Sequence, residues 1–229
     1  MLDQESLTYT NTHFVKSAAK LSQCPMDVLR EVAFAGRSNA GKSSALNTLT
    51  GNKKLARTSK TPGRTQLINY FQVGEAPLCL VDLPGYGFAK VPVAKKNEWQ
   101  KELGNYLEKR DVLVGLVLLM DIRHPLKEFD NSMLDWAREK QMPVHILLTK
   151  ADKLKRGPAQ NTMLQVKKAV KDLGDLVTVQ TFSSHNGEGL KILHKRLNSW
   201  LLPQDSDAEA APANAGDNTL NNTVDSNDD

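Results

Sequence analysis

Residues 36–43 place the strongest constraint on the fold of this chain, because they match a phosphate-binding loop of the form GxxxxGK[ST]. Such a loop works between a buried strand and a helix. The largely apolar segment 31–35 predicts the strand, and the leucine spacing within 42–51 predicts a helix with one face toward a core. This order of strand, loop and helix favours a phosphate site over a glycine-rich turn that binds nothing.

The residue types in this loop suit the binding of an anion. Its glycines allow a tight turn in which backbone N–H groups point at phosphate oxygens, and the start of the helix adds its positive dipole. Lys42 supplies a positive charge between two phosphates, and the Ser43 hydroxyl can bind Mg²⁺. We therefore expect nucleotide contacts from Gly36, Arg37, Ser38, Asn39, Ala40, Gly41, Lys42, Ser43 and Ser44.

A second motif indicates which base is bound. The apolar run at 144–148 ends in Thr149, Lys150, Ala151 and Asp152, which match the pattern [NT]KxD of guanine-binding loops. Guanine presents two adjacent donors on one edge, and a carboxylate such as Asp152 can accept both, whereas adenine has no such pair. The Lys150 stem can lie along the base. Alone, the tetrapeptide is more simply a solvated loop; about 110 residues after a phosphate loop, it favours guanine.

A third motif, DxxG, follows the apolar run at 78–81. Asp82, at the end of this predicted strand, would hold Mg²⁺ through a water molecule. The Gly85 N–H would bind the γ-phosphate and so report whether it is present. The motif adds four residues to the predicted nucleotide site, which are Asp82, Leu83, Pro84 and Gly85.

Two further segments complete the predicted site. A basic loop lies between the first and third motifs, and its Thr65 is placed to close over Mg²⁺ and the γ-phosphate. The strand predicted at 177–182 ends in serines that resemble the loop behind the guanine O6, which is the least specific match. Lys42, Thr65 and Gly85 are the expected catalytic groups. The added nucleotide contacts are Gly63, Arg64, Thr65, Gln66 and Leu67 in the loop, and Phe182, Ser183 and Ser184 after the strand.

Alternating strand and helix signals predict an α/β fold: a doubly wound, mostly parallel six-stranded sheet with helices on both faces and one antiparallel edge strand. The short turn at 74–77 indicates the antiparallel hairpin. The longest apolar run, 112–120, is about half a membrane span and indicates a strand buried on both faces. The strands are expected near 31–35, 67–73, 78–82, 112–120, 144–149 and 177–182. The helices are expected near 42–51, 95–109, 126–140, 158–173 and 187–201.

Together, the motifs GRSNAGKS, KTPGRTQ, DLPGYG and TKAD resemble the EngB (YihA/YsxC) subfamily of the Era/EngA-like bacterial P-loop GTPases, in the TrmE-Era-EngA-EngB-septin-like superfamily. The resemblance runs from about residue 14 to residue 202 and includes residues 121–125. It implies a Ras-like fold, Mg²⁺-dependent GTP hydrolysis and a switch function in late assembly of the large ribosomal subunit, with 23S ribosomal RNA and ribosomal proteins as partners. The alternative is a cell-division or septation GTPase that acts on protein partners.

One position departs from the Ras-like pattern. Tyr86 follows Gly85 where Ras-like proteins carry the glutamine that orients the attacking water. A phenol cannot replace that amide, so we expect slow intrinsic turnover. Relatives of the family use a K⁺ ion, bound by an asparagine of the phosphate loop, in place of an arginine finger, and Asn39 stands at that place. An asparagine that tolerates an unusual backbone conformation is an equally good explanation of Asn39.

Charge and composition divide the chain into three parts. We expect an N-terminal extension at 1–25, a GTP-binding domain at 26–202 and a disordered acidic tail at 203–229. The chain carries 30 basic and 26 acidic residues, for a net charge of +4; because seven acids and no base lie in the tail, the rest carries 30 against 19, or +11. Such a body suits a polyanion such as RNA. The densest basic run either contacts RNA phosphates or is merely solvated; it comprises Lys53, Lys54, Arg57, Lys60 and Arg64.

The remaining features indicate no additional function. Two cysteines without metal spacing, and the lack of a secretory or lipidation pattern, lead us to expect a cytoplasmic protein with reduced thiols. The five histidines also lack ligand spacing, so we assign them no metal or catalytic role. We expect a monomer that binds GTP or GDP, and that binds neither DNA nor a membrane.

Overall fold

Strands and helices alternate along the residues that the computed structural model describes, which are 6–56, 67–86 and 93–202, with the backbone alone at 93–100. The strands are β1 (His13–Ala18), β2 (Arg30–Gly36), β3 (Ile68–Gln72), β4 (Leu78–Asp82), β5 (Leu113–Asp121), β6 (Val144–Thr149) and β7 (Val177–Thr181). The α-helices are α1 (Lys42–Thr50), α2 (Val93–Lys109), α3 (Glu128–Lys140), α4 (Arg156–Ala169) and α5 (Leu190–Leu201). Single 3₁₀ turns include Tyr9–Asn11 and Ala151–Lys153.

The strands form one sheet in the order β1-β3-β4-β2-β5-β6-β7. β3 runs antiparallel to both β1 and β4, and the remaining pairs are parallel. The predicted doubly wound α/β fold, with antiparallel pairing at one edge, is therefore confirmed.

The predicted count of six strands is wrong, because β1 adds a seventh and covers β3, which is consequently not the edge strand. The first five of its six residues are exposed, so β1 lacks the alternation of apolar and polar residues that marks a half-buried strand. A register shift between Phe14 and Lys16 interrupts the pairing further.

Apolar residues fill both faces of the sheet. Along β2, Val32 and Phe34 pack into the cluster that includes α1 and α5, whereas Ala33 and Ala35 pack into the cluster that includes α2, α3 and α4. This alternation follows from the period of two residues in a strand. Gly115 in β5 provides room for an aromatic ring, because a Cβ atom there would lie 2.5 Å from Cε3 of Trp200. Within the described residues, no helix combines the length and apolar character needed to cross a bilayer.

The sheet topology brings the predicted motifs to one end of the molecule. The parallel strands β2, β4, β5 and β6 all end at the same edge, and the loops that follow them carry the three motifs. Ligands of open α/β sheets bind at this edge, outside the carboxyl ends of the strands.

Candidate functional site

The phosphate loop connects β2 directly to α1. Asn39 and Gly41 have positive φ angles of 65° and 95°, and α1 begins at the next residue, Lys42. The Ala40 N–H donates to the Arg37 carbonyl at 2.9 Å, which closes the turn. The left-handed conformation of Asn39 is in itself a physical reason for an asparagine at this position.

Lys42 and Asp82 form an ion pair at the centre of the site. The Lys42 Nζ contacts Asp82 Oδ1, and only 11% and 12% of the two side chains are exposed. Asp82 ends β4, and the Ser43 hydroxyl lies one residue further along the first turn of α1. Carboxylate and hydroxyl oxygens are hard donors of the kind that Mg²⁺ prefers. These two residues therefore suit Mg²⁺, and a bound phosphate would compete with Asp82 for the lysine.

The DxxG segment packs against the phosphate loop. Gly85 lies close to this loop, since a Cβ atom on it would be 3.4 Å from the Cα of Ser38, in van der Waals contact. The Ser38 N–H donates to the Tyr86 carbonyl at 2.8 Å, and the Tyr86 N–H donates to the Gly36 carbonyl at 3.4 Å. The residue after Gly85 is thus bonded through its backbone to the phosphate loop.

The Tyr86 side chain is part of the core beside α3. Its phenol donates to Asp130 Oδ1 at 2.7 Å, its ring stacks on Phe129 with centroids 3.6 Å apart, and it is 3% exposed. Burial is the main reason why the pKa of this phenol is raised. The phenol is hydrogen-bonded to a carboxylate of α3 in this conformation, so it does not take the place of the glutamine of Ras-like proteins.

The loop that contains the second motif is bonded to the phosphate loop at two points. The Thr149 hydroxyl, at the end of β6, lies 2.5 Å from the Ala40 carbonyl. Lys150 adopts a left-handed conformation with φ of 59°, and its Nζ donates to the Asn39 carbonyl at 2.6 Å. The residues predicted to read the base therefore contact the residues predicted to bind phosphate.

Asp152 is held as an ionised carboxylate. It accepts from the Ser183 hydroxyl at 2.7 Å, and the Lys153 Nζ lies 3.0 Å from its other oxygen. The hydrogen bond from Ser183 is the main cause of the lowered pKa of Asp152. An ionised carboxylate is the form that can accept both guanine donors.

The least specific of the predicted segments lies beside Asp152. The Ala151 N–H donates to the carbonyl of Phe182 at 3.1 Å, and both Phe182 and Ser183 are fully buried. The Ser184 carbonyl accepts a long hydrogen bond of 3.5 Å from the Thr48 hydroxyl of α1. The Phe182 ring packs in the core with α1 and α5, so its backbone is the part that faces the loop.

Other predicted residues are placed as follows. Gly63, Arg64, Thr65 and Gln66 lie outside the described residues, and Leu67 is a partly exposed residue immediately before β3. Leu83 and Pro84 are buried between Asp82 and Gly85, and Ser44 is half-buried in the first turn of α1.

Sequence reasoning gave no role to two charged residues near the end of β5, although the family resemblance includes the segment 121–125. Asp121 Oδ2 lies 3.0 Å from the Lys150 Nζ, and Arg123 donates to both oxygens of Asp121 at 2.9 and 2.7 Å. The hydrogen bond from Arg123 is the main cause of the low pKa of Asp121. The signal available in the sequence was the position of Asp121 directly after the apolar run 112–120, and the structure places it beside Thr149 in the register of β5 with β6.

The chain is similar to known proteins over most of its length. A family model described as 50S ribosome-binding GTPase matches residues 31–150. The probable GTP-binding protein EngB of Vibrio parahaemolyticus is 58% identical over 196 residues, which cover 85% of this chain and 89% of the relative. The protein of the same name from Aeromonas salmonicida is 55% identical over 201 residues, covering 88% of this chain and 92% of the relative.

Solved structures support the same fold. The crystal structure of a probable GTP-binding protein engB superposes with a TM-score of 0.61 at 24% identity, covering 75% of this chain and 98% of that one. Era from Aquifex aeolicus, bound to GDP and AlF4⁻, superposes with a TM-score of 0.57 at 18% identity, covering 76% and 57%. With the family model matching over half of its length, and relatives this similar over most of theirs, the chain belongs to the EngB family of P-loop GTP-binding proteins.

Proposed function

We propose that this protein binds GTP and GDP with Mg²⁺, hydrolyses GTP slowly, and acts as a nucleotide-controlled switch in late assembly of the large ribosomal subunit. The observation that carries the proposal is the direct bonding of the base-reading loop to the phosphate loop, through Lys150 with Asn39 and Thr149 with Ala40. Two loops bonded in this way can contact the base and the phosphates of the same nucleotide.

The chain supplies charge and position for hydrolysis. Lys42 would neutralise phosphate charge, the Gly85 N–H would contact the γ-phosphate, and Ser43 with Asp82 would hold Mg²⁺, joined by Thr65 from the basic loop. Bound Mg²⁺ would neutralise charge that develops on the phosphate oxygens. Because the Tyr86 phenol is bonded to Asp130, the residue after Gly85 has no free group to orient water, and slow turnover is expected. A K⁺ ion at Asn39, or a group on the ribosome, would supply the missing charge.

Charge supports an RNA partner. The Lys53 and Lys54 side chains are exposed just after α1, and Lys191 and Lys195 are exposed on α5. The α1 and α5 helices are neighbours, since the Nε2 of His194 lies 3.4 Å from the Leu49 carbonyl. No acidic residue occurs in residues 42–56 or 190–202. This surface suits RNA phosphates, and the description of the matched family as 50S ribosome-binding points to the same partner.

Co-sedimentation with purified large subunits tests the proposal. Binding should be stronger with a non-hydrolysable GTP analogue than with GDP, because a ligand shifts a switch only through its different affinities for the two states. It should also weaken steeply as salt rises, since each neutralised phosphate releases counterions. Removal of residues 203–229 should not weaken it, because that segment carries seven acids and no base.

Charge reversal tests which surface of the protein contacts the large subunit. Lys53→Glu, Lys54→Glu and Arg57→Glu together should abolish co-sedimentation and leave GDP binding intact. The matched control is Lys167→Glu, Lys168→Glu and Lys171→Glu, an equal charge change around the end of α4, on the opposite face of the sheet from α1. If co-sedimentation with large subunits does not change with the nucleotide, the salt concentration or the first set of reversals, the ribosome role is contradicted. A division GTPase with protein partners is then favoured.

A further inference from the structure

Arg123 donates three hydrogen bonds to the carboxylate of Asp121. Its Nε and Nη2 donate to the two oxygens at 2.9 and 2.7 Å, and its own backbone N–H donates at 3.1 Å. A planar guanidinium that binds both oxygens fixes the rotation of a carboxylate, which a lysine ammonium does not. Among the residues that the structure describes, the hydrogen bonds and the ion pair of this arginine go to Asp121 and not to a predicted nucleotide-binding residue.

Asp121 connects Arg123 to the candidate nucleotide site. Its Oδ2 lies 3.0 Å from the Nζ of Lys150, whose other partner is the Asn39 carbonyl at 2.6 Å. A continuous chain of charge-assisted hydrogen bonds therefore runs from the surface at Arg123, through Asp121 and Lys150, into the phosphate loop. Lys150 is half-buried and belongs to the loop that would read the base.

We propose that Arg123 is a positioning residue for guanine-nucleotide binding, which fixes Asp121 so that Lys150 is held against both the base and the phosphate loop. This inference rests on the proposed nucleotide site. Without the arginine, the Asp121 side chain is free to rotate, and Lys150 loses an aligned partner at the moment when it must pack on the base. The positive charge of Arg123 also interacts favourably with both Asp121 and Asp152.

Dissociation of a fluorescent GDP derivative from the full-length protein tests the proposal. Arg123→Ala should release GDP about tenfold faster than the parent, in line with the usual size of couplings between neighbouring charged groups. Arg123→Lys should restore only part of the loss. Asp121→Ala should release GDP at least as fast, and the double variant should match Asp121→Ala alone, because the arginine acts through that carboxylate.

Two measurements distinguish a positioning role of Arg123 from a general loss of structure in the variant. Arg138→Ala is the matched control, since Arg138 is a similarly exposed arginine, 49% against 44%, that is paired with Asp135 and Asp172 away from the site. It should release GDP at the parental rate. In steady-state hydrolysis, Arg123→Ala should raise the KM for GTP and leave kcat near the parental value, because Arg123 contacts no residue that is expected to act on the γ-phosphate.

The possible outcomes are distinct. If the parent binds GDP and Arg123→Ala releases GDP at the parental rate, this inference is overturned and the proposed function is not. Additive effects of Arg123→Ala and Asp121→Ala, or an equal effect of Arg138→Ala, would also overturn it. A parent that binds no guanine nucleotide would overturn the proposed function, and this inference with it.

Discussion

The phenol of Tyr86 donates a 2.7 Å hydrogen bond to the carboxylate of Asp130, and so connects the DxxG segment to the first turn of α3. The other oxygen of Asp130 accepts from the Lys127 N–H at 2.9 Å, which caps the helix. Asp130 is 1% exposed, and its burial is the main cause of its raised pKa. One carboxylate therefore caps α3 and holds the residue that follows Gly85.

Tyr86→Phe should destabilise the protein by about 1–3 kcal/mol, because it removes one of the donors to a buried carboxylate and keeps the ring in place. The pKa of Asp130 should rise further, since the hydrogen bond from Tyr86 opposes the effect of burial. Urea unfolding measures the first effect, and NMR titration of the Asp130 carboxyl carbon measures the second. Parental values in both would mean that the hydrogen bond contributes nothing.

The stability of the fold should depend on pH through His145 in β6. This ring is buried, with Nδ1 2.8 Å from the Thr178 hydroxyl and Nε2 2.8 Å from Gln180 Oε1, and burial lowers its pKa to about 4. The unfolded chain binds this proton below pH 6.5 and the folded one does not, so stability is full above pH 6.5 and is lost as pH falls toward 4.

Between pH 7 and pH 5 this residue alone should cost about 2 kcal/mol of unfolding free energy. Chemical denaturation at several pH values measures the loss. His145→Gln removes the titrating group, so its unfolding free energy should depend less on pH over the same range. Parallel pH profiles for the two proteins would show that His145 is not responsible.

Replacement of two adjacent residues should separate phosphate binding from Mg²⁺ binding. Lys42→Ala removes a positive charge and should weaken GDP and GTP with or without Mg²⁺. Ser43→Ala removes an oxygen ligand, so it should weaken binding mainly when Mg²⁺ is present. Titration of both labelled nucleotides in Mg²⁺ and in a chelator gives the comparison. If Ser43→Ala responds to Mg²⁺ as the parent does, Ser43 does not bind the metal.

GTP turnover should increase when K⁺ replaces Na⁺ at constant ionic strength, if Asn39 binds the ion. Asn39→Gly is the informative variant, because glycine accepts the φ of 65° and lacks only the amide. It should bind GDP like the parent and lose the response to K⁺. Equal rates in both salts for the parent would rule out a catalytic K⁺ ion at Asn39 and leave a ribosomal activator as the source of the missing charge.

Features encoded within one stretch of chain could be predicted from the sequence. The phosphate loop lies between β2 and α1, and TKAD follows β6, because strand, turn and helix signals there are local. The strand β1 could not be predicted, since its stability comes from pairing with β3 and its side chains are largely exposed. An edge strand of this kind carries almost no hydrophobic pattern.

Contacts between distant residues were also beyond sequence reasoning. The pairing of Asp121 with Lys150 depends on the register of β5 with β6, which places Asp121 beside Thr149. Tyr86 and Asp130 are 44 residues apart, and although Tyr86 lies within DLPGYG, Asp130 lies in none of the four motifs. Motifs thus predicted a candidate site, and the packing of the sheet determined which charged groups lie beside its residues.

The most direct test of guanine recognition is the nucleotide preference of Asp152→Asn. The variant turns an acceptor pair into a mixed donor and acceptor, which leaves a guanine donor unpaired. It should therefore lose GTP binding by about 3 kcal/mol or more, roughly a hundredfold. Xanthosine triphosphate, which has a carbonyl in place of the amine, should bind the variant more tightly than GTP does. A variant that binds GTP as the parent does, and still rejects xanthosine triphosphate, would contradict the assignment of this loop as the site that reads the base.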